Sequence, residues 1–497
     1  MSIFRFRWFV CGSTLAAAIL VTGSLVPTVV APGAGASGRS AAAPDPRPNI
    51  VLVTSDDQRR TDLGVMDGLR SRLAGLGTSF RNSYSSYPLC CPARASILTG
   101  QYAHNHHVLG NAPPWGGFEK FDDSSTVATW LQAGGYNTLF LGKYLNRYGL
   151  TQPQYIPPGW SDWRASIDPT TYRFLGTQLN VNGTVVDRSG RYQTDVFASI
   201  TENLVAKYAP AAKPFFLWAS YVAPHDGNPI EPDDPKATDP AAIGTVAVPN
   251  RYRNAMAGTM LVRDASFNEA DVSDKPAHIQ ALTLMSDTEV AWVQESHQQR
   301  LESLLAVDDA IDRTLNALDH TGELANTLVI YTSDNGYFLG EHRRRIGKML
   351  PYEPSVRVPL IIRGPGIPIG VTRTQPVNTV DLAATITDAA NITPGLPADG
   401  TSLIPLAKDP SRGTSRATLL QAGPRTTTSP ARFYTAIRTL RFLYVEYDTG
   451  ERELYHQPTD PAQTLNVAAS PDFQADRQRL ANRLHAIHNC AGQTCPR

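Results

Sequence analysis

Two adjacent cysteines, Cys90 and Cys91, open the segment CCPARASILTG in a chain that has five cysteines in 497 residues. A thiol there could be a nucleophile, a metal ligand, half of a disulfide or a precursor for modification. Neighbouring cysteines bridge one another only with backbone strain. A bare Cys-Cys pair lacks the ligand spacing of a zinc site, and a thiol nucleophile wants a base beside it. Other groups capable of chemistry stand where apolar runs stop. Asp56-Asp57 end NIVLVTSDD, Lys143 ends YNTLFLGK, His225 ends PFFLWASYVAPH, and Asp334-Asn335 fall in TLVIYTSDNG. Asp56, Asp57, Asp334 and the Asn335 amide oxygen make an all-oxygen shell that suits a hard cation, Ca²⁺ first and Mg²⁺ as the alternative. Alone, an Asp pair is also a helix cap and Asp-Asn-Gly an ordinary turn. Their shared position at strand ends is what points to ligation.

The elements that must position these groups are legible as patterns. Continuous β-branched and apolar runs at 49–57, 136–143, 214–225, 327–336 and 358–366 read as strands, the first of them buried on both faces. Helical patterns at 125–134 and 296–320 lie between them, so the chain predicts an α/β fold with a large, mostly parallel sheet flanked by helices. In such sheets ligands bind beyond the carboxyl ends of the strands. Alternation around a Thr-Gly turn in 432–457 predicts antiparallel hairpins, and a polar helix is expected over 473–488. The expected organisation is a signal peptide at 1–36, a linker at 37–47, a catalytic domain at 48–410 and a smaller C-terminal α+β subdomain at 411–497. The Pro/Asp/Ala-rich stretch 226–290 reads as a long insertion or lid.

PLCCPARASILTG resembles the signature of the type I sulfatases, Cys-x-Pro-x-Arg followed shortly by Thr-Gly, with Pro92 and Arg94 in register only for Cys90. GYNTLFLGKYL (135–145) resembles the family's second signature. Asp56-Asp57 and Asp334-Asn335 match its metal ligands in place and order. The motif run CCPARASILTGQYAHNHHV with GKYLNRYG is most similar to the N-acetylglucosamine-6-sulfatase branch. The resemblance implies an alkaline-phosphatase-like fold, one bound Ca²⁺, and conversion of Cys90 to formylglycine by a formylglycine-generating enzyme. It also implies hydrolysis of a sulfate monoester, on a 6-O-sulfated N-acetylglucosamine glycan or an aryl sulfate. Arg94 would hold residue 90 and the metal-side charge, Lys143 and Lys348 would bind sulfate oxygens, and His225 would protonate the leaving alcohol. Residue 90 itself would join the metal ligands. Many members carry a histidine two positions after the signature lysine; here that residue is Leu145, so the assisting base is left open among His104, His106, His107 and the carboxylates. Ala93 stands where serine is commonest.

The 45 basic and 45 acidic side chains cancel, which removes the electrostatic case for nucleic acid as a partner. Arg5 and Arg7 before a long apolar run, with Ala34-Gly35-Ala36 as a small-residue cleavage site, predict an export signal, and the run Trp8 to Val30 is long enough for a retained membrane anchor as the other reading. In an oxidising compartment Cys490 and Cys495 suit a local disulfide, and Cys91 is expected as a small buried apolar residue. Tyr337, Tyr352 and Trp115 are candidate sugar platforms, with burial as the other reading. Arg343 to Arg345 read as a solvated loop or substrate-facing rim. Two alternatives stand beside hydrolysis of a sulfate ester. One is a phosphomonoester or phosphonate ester hydrolase of the same superfamily; the other is a sulfated-glycan-binding protein without turnover, should Cys90 stay unmodified. Oligomeric state is not written in the sequence.

Overall fold

The computed structural model describes Gly23 and residues 45–496, except 235, 237 and 240. The expected signal peptide, and the linker before residue 45, lie outside the described residues. The centre of the molecule is a ten-stranded sheet. Its middle five strands, Thr327–Ser333, Asn49–Ser55, Phe215–Ser220, Asn137–Gly142 and Asp162–Ser166, are parallel in that order. Every residue of Asn49–Ser55, Phe215–Ser220 and Thr327–Ser333 is buried. Side chains alternate across the strand, so Ile50 and Leu52 enter one core with Phe216, Trp218, Leu328 and Ile330. Val51 and Val53 enter the opposite core with Leu217, Val329 and Tyr331. That two-sided burial is why the runs are continuously apolar rather than alternating.

Helices close both faces. Cys90–Thr99 packs Cys91, Ala95 and Leu98 into the first core. Asp287–His320 and Gln193–Tyr208 cover the second, through Leu304, Val307, Ile311 and Leu315 on one and Val196, Ile200 and Leu204 on the other. The long helix begins earlier than its pattern predicts, because Ser286 caps it: Glu289 N donates to Ser286 Oγ at 3.3 Å while Ser286 N donates to Glu289 Oε2 at 2.8 Å. The run at 358–366 also departs from expectation. Its strand, Leu360–Arg363, lies antiparallel to Thr327–Ser333, because the intervening chain forms site loops and one helical turn, Glu353–Val356, in place of the crossover helix a parallel strand requires.

At the carboxyl end, the register levels the strands: Ser55 pairs with Ser333, Thr54 with Ser220, and Ser220 with Gly142. Asp56, Asp334 and Lys143 therefore leave the sheet along one edge. The C-terminal part is a four-stranded antiparallel sheet, Ala417–Ala422, Tyr434–Thr439, Phe442–Tyr447 and Arg452–His456, in sequence order. One face packs on Gln474–Ile487 through Leu480 and Leu484. The other packs Ala436, Leu443 and Val445 against Phe338, Leu350 and Tyr352, on either side of Lys348. A disulfide joins Cys490 and Cys495. Among the described residues of 226–286, turns and irregular chain predominate around the helical turn Ala277–Gln280, and the long helix begins at Asp287. Among the described residues, no helix is long and apolar enough to cross a membrane.

Candidate active site

Cys90 is the first residue of the Cys90–Thr99 helix, which begins two residues earlier than Pro92 suggests. The strand-like backbone of Leu89 feeds that start, and helix amides there favour negative charge. Cys90 is fully buried. Its Sγ lies 3.4 Å from Asp56 Oδ1, 4.0 Å from Asp57 Oδ1 and 2.9 Å from Lys348 Nζ. Residues far apart in the chain thus meet at one sulfur, the aspartates from the end of Asn49–Ser55 and the lysine from the loop that follows Thr327–Ser333.

Arg94, one turn on, is wholly buried. Its Nε donates to Asp334 Oδ2 at 2.8 Å and Nη1 to Ser220 Oγ at 2.7 Å and to the Lys143 carbonyl at 2.6 Å. Nη2 stands 3.3 Å from Asp56 Oδ2. Lys143 Nζ pairs with Asp56 Oδ2, and Lys348 Nζ with Asp57 Oδ1. Burial pushes both acids toward the neutral form. Lys143 and Arg94 around Asp56, and Lys348 and His225 beside Asp57, outweigh it, holding both carboxyls below the ordinary range. Burial likewise opposes charge on Lys143 and Lys348, but the same carboxylates hold each well above the ordinary lysine value. The interior carries its charge as compensating pairs.

His225 Nε2 faces Asp57 Oδ2 at 3.7 Å, while Nδ1 meets Asp226 Oδ1 at 2.9 Å. Burial disfavours its imidazolium, yet Asp57 and Asp56 raise it well above the usual histidine value. Asp226 orients the ring and leaves Nε2 turned toward Asp57.

The residues fit a hard cation. Asp56, Asp57, Cys90 and His225 each present a ligand atom, all within 4.8 Å of one another. Asn335 donates Nδ2 to Asp57 Oδ1 at 2.7 Å and to the Gly336 carbonyl at 2.8 Å. Its Oδ1 is left buried and without a partner, as is Asp57 Oδ2. Two orphaned buried oxygens beside carboxylates are what an oxygen-seeking ion would satisfy. Asp334 stands outside the four-residue group: Arg94 takes its Oδ2, and the Asp57 and Asn335 amides take Oδ1 at 3.2 and 2.8 Å.

The other candidates divide. His104 bonds Gln421 and the Cys490 carbonyl, and His106 bonds Ser96 Oγ at 3.0 Å, so both rings are tied away from residue 90. Tyr352 is fully buried with its hydroxyl on Glu453, and Tyr337 is 5% exposed; burial, not sugar stacking, accounts for both. Trp115 is half-buried and donates Nε1 to the Thr426 carbonyl at 2.9 Å. Cys91 is buried and its thiol is pushed up to about 12 by desolvation, which makes it inert. Leu145 is core.

Sequence reasoning missed Arg300. Buried in the long helix, it donates Nη1 to the Pro224 carbonyl at 2.9 Å and Nη2 to the Asp57 carbonyl, and its guanidinium lies 4.2 Å over the Tyr337 ring. One side chain thus ties the loops carrying Asp57, His225 and Asn335. Asp57 needs such a tie, since its φ of 65° is left-handed for a non-glycine residue. Only its place on the buried stripe of an amphipathic helix could have betrayed it, an unusual position for an arginine.

Comparison with known proteins follows the same residues. The sulfatase family pattern matches residues 48–392, and the C-terminal pattern of N-sulphoglucosamine sulphohydrolase matches residues 340–490. An N-acetylglucosamine-6-sulfatase of Capra hircus is 32% identical over 500 residues, covering 90% of this chain and 85% of that protein. An extracellular sulfatase Sulf-1 homologue of Caenorhabditis elegans is 35% identical over 373 residues, 73% of this chain; the chain spans about half of that relative, 49%. A solved structure described as a complex with its substrate D-glucosamine-2-N,6-O-disulfate superposes with a TM-score of 0.71 at 24% identity, covering 88% of this chain and 97% of the other. At that identity the likeness is one of fold.

Proposed function

We infer the reaction from the premise that this chain belongs to the sulfatase family and is a sulfuric ester hydrolase: it cleaves a sulfate monoester of a 6-O-sulfated N-acetylglucosamine-type glycan, with residue 90 as formylglycine. The observation that carries this reading is the setting of Cys90, whose Sγ lies among Asp56, Asp57 and Lys348 in a charge-compensated site. As formylglycine, residue 90 would supply a hydrated aldehyde, one oxygen to attack sulfur and a second to release sulfate afterwards. A Ca²⁺ held by Asp56, Asp57, Asn335 and residue 90, with Asp334 at its border, would polarise the sulfate and offset its charge.

The chain's own residues do the rest. Lys143 and Lys348 hold sulfate oxygens as point charges fixed against carboxylates. Arg94 locks Asp56 and Asp334 relative to the signature helix, so the acids need not reorganise when charge moves. His225, held by Asp226, hands its Nε2 proton to the leaving alcohol. Asp56 and Asp57 keep that proton available by favouring the imidazolium.

The substrate class rests on the names of the relatives, and the expected route to it is export before contact with a sulfated glycan, after maturation by a formylglycine-generating enzyme. The reading is tested by sulfate release from N-acetylglucosamine 6-sulfate and from the matched 6-phosphate. The account expects turnover of the sulfate ester at the higher rate and its loss in Cys90→Ala. A faster phosphate ester, or an undiminished Cys90→Ala, overturns it.

A further inference from the structure

Three arginines in a row, Arg343, Arg344 and Arg345, precede Lys348, and the structure treats them differently. Arg343 donates Nε, Nη1 and Nη2 to the carbonyls of Glu269, Leu282 and Ala270 at 2.8 to 2.9 Å. Arg345 bonds the Ala241 carbonyl and lies 3.2 Å from Glu289. Both clasp the 226–290 insertion. Arg344, between them, has no side-chain hydrogen bond and no ion pair among the described residues, and its Nε is sealed from solvent without an acceptor. Desolvation pulls its pKa below the ordinary arginine value, with no anion opposing it. Arg344 is half-buried with only Nε sealed, so its outer guanidinium donors stay open and no acceptor among the described residues takes them, which is the form of a ligand contact.

Its position is set by Gly347. A methyl group there would come within 3.4 Å of Arg344 Nη2, so the guanidinium lies over that glycine, whose φ of 116° is also one that glycine alone tolerates easily. The next residue is Lys348, whose ammonium reaches Cys90 Sγ. Arg344 and the reacting residue are thus linked through two consecutive residues, Gly347 beneath the guanidinium and Lys348, whose side chain ends at Cys90. His278 stands nearby with Nε2 also buried and unpartnered, its pKa pushed down to about 4 by burial, with Arg425 and Arg344 adding to the shift and the carboxylates of Glu451 and Asp448 opposing it. The ring of His278 packs edge-on to Phe433 at 5.0 Å, which Arg425 covers at 4.7 Å. An aromatic-backed shelf results, shared by the insertion, the lysine loop and the C-terminal sheet; on it Arg425 is paired with Asp448 at 3.3 Å, which leaves Arg344 as the cation without a partner among the described residues.

We propose that Arg344, with His278 beside it, is a subsite for a second anionic group of the substrate, a carboxylate or sulfate carried on the sulfated sugar or its neighbour, so that doubly charged glycans are preferred over simple monosulfates. The fork of a guanidinium matches either oxyanion in two-point contact. This rests on the sulfatase reading for its catalytic consequence and not for its binding one.

The test compares N-acetylglucosamine 6-sulfate, glucosamine carrying 6-O- and 2-N-sulfates, and a disaccharide in which a uronic acid adjoins the 6-sulfated sugar. In the full-length enzyme, KM for at least one dianionic probe is expected to lie about tenfold below that for the monosulfate, the order set by a charge-assisted hydrogen bond. Arg344→Gln collapses the ratio toward one, Arg344→Lys restores part of it, and Arg345→Gln leaves it in place. Which dianionic probe gains separates sulfate from carboxylate. Calorimetric binding of the same probes to Cys90→Ala reads the subsite without turnover. Arg344-dependent preference in binding with no hydrolysis of any sulfate ester sustains the subsite and removes the catalytic reading. Equal KM and equal binding across the probes, or a ratio that survives Arg344→Gln, overturns the inference.

Discussion

Arg94 Nε lies 2.8 Å from Asp334 Oδ2 across a separation of 240 residues, and both side chains are fully buried. The pair joins the signature helix to the strand that supplies Asn335, so it carries structure and chemistry together. Removing one member leaves the other charge buried without compensation. Arg94→Met is therefore expected to destabilise the fold by about 3–5 kcal/mol, read as a lower urea midpoint with an unchanged m-value. Arg94→Lys keeps the charge but not the fork, and should recover part of the stability without recovering the rate. A midpoint unmoved by Arg94→Met would contradict the role given to the pair.

Arg300 makes a different prediction, because it touches backbone and not the reacting groups. Its two donors fix the Asp57 and Pro224 carbonyls. Arg300→Lys can hold one of them, letting the Asp57 loop and His225 move apart. A misplacement of that scale costs about 10²-fold, expected in kcat with KM little changed, together with weaker metal retention. A variant with parental kcat and a raised KM would instead mark Arg300 as a substrate contact.

Metal removal should be visible in stability as well as in turnover. Chelation would leave Asn335 Oδ1 and Asp57 Oδ2 buried with no protein partner. Restoring Ca²⁺ at about 100 times its Kd is expected to add about 2.7 kcal/mol of unfolding free energy, seen as a higher melting temperature. Asn335→Ala should shrink that increment, and should also lower the chelated protein's melting temperature because the buried bonds to Asp57 and Gly336 are lost. If chelated and Ca²⁺-loaded enzyme melt together, the oxygen shell is not a cation site.

His106 predicts an acid sensitivity. Burial, aided by the charge of His107, pushes it down to about 3, far below the ordinary histidine value of 6.5. The folded state holds it neutral while the unfolded chain protonates readily. Its contribution is complete above pH 6.5 and is lost as pH falls from there toward 3, at about 1.4 kcal/mol per pH unit. Between pH 7.5 and 5, His106→Gln should therefore lose about 2 kcal/mol less stability than wild type in urea unfolding. Parallel pH slopes for the two proteins would count against a neutral His106.

The sheet and the first ring of site residues were legible because both depend on local chemistry. Runs such as NIVLVTS and TLVIYTS are apolar on both faces and stop at carboxylates, so strand, burial and exit point are all visible in a few letters. The strands Asp162–Ser166, Gln178–Val181 and Thr184–Asp187 escaped notice. They lie toward the sheet's edge, mix polar with apolar residues, and are short. Gln193–Tyr208 was missed as well, its apolar stripe being weakly marked at its start. The Leu360–Arg363 strand was found but its direction was not, since direction depends on what the connecting chain does in space. Asp226 and Arg300 have no sequence signal that separates them from ordinary surface and helix residues; their roles come from contacts across the fold. Arg343 to Arg345 look alike in sequence, and only the acceptors around each distinguish two structural clasps from one open cation.

The central claim is that Cys90 is the precursor of the reacting group. Mass spectrometry of the peptide carrying residue 90, from protein produced in its natural host and assayed for sulfate release, tests it most directly. The account predicts an aldehyde in place of the thiol, trappable by a hydrazine, in proportion to activity. A preparation that releases sulfate while residue 90 remains wholly a thiol would contradict it.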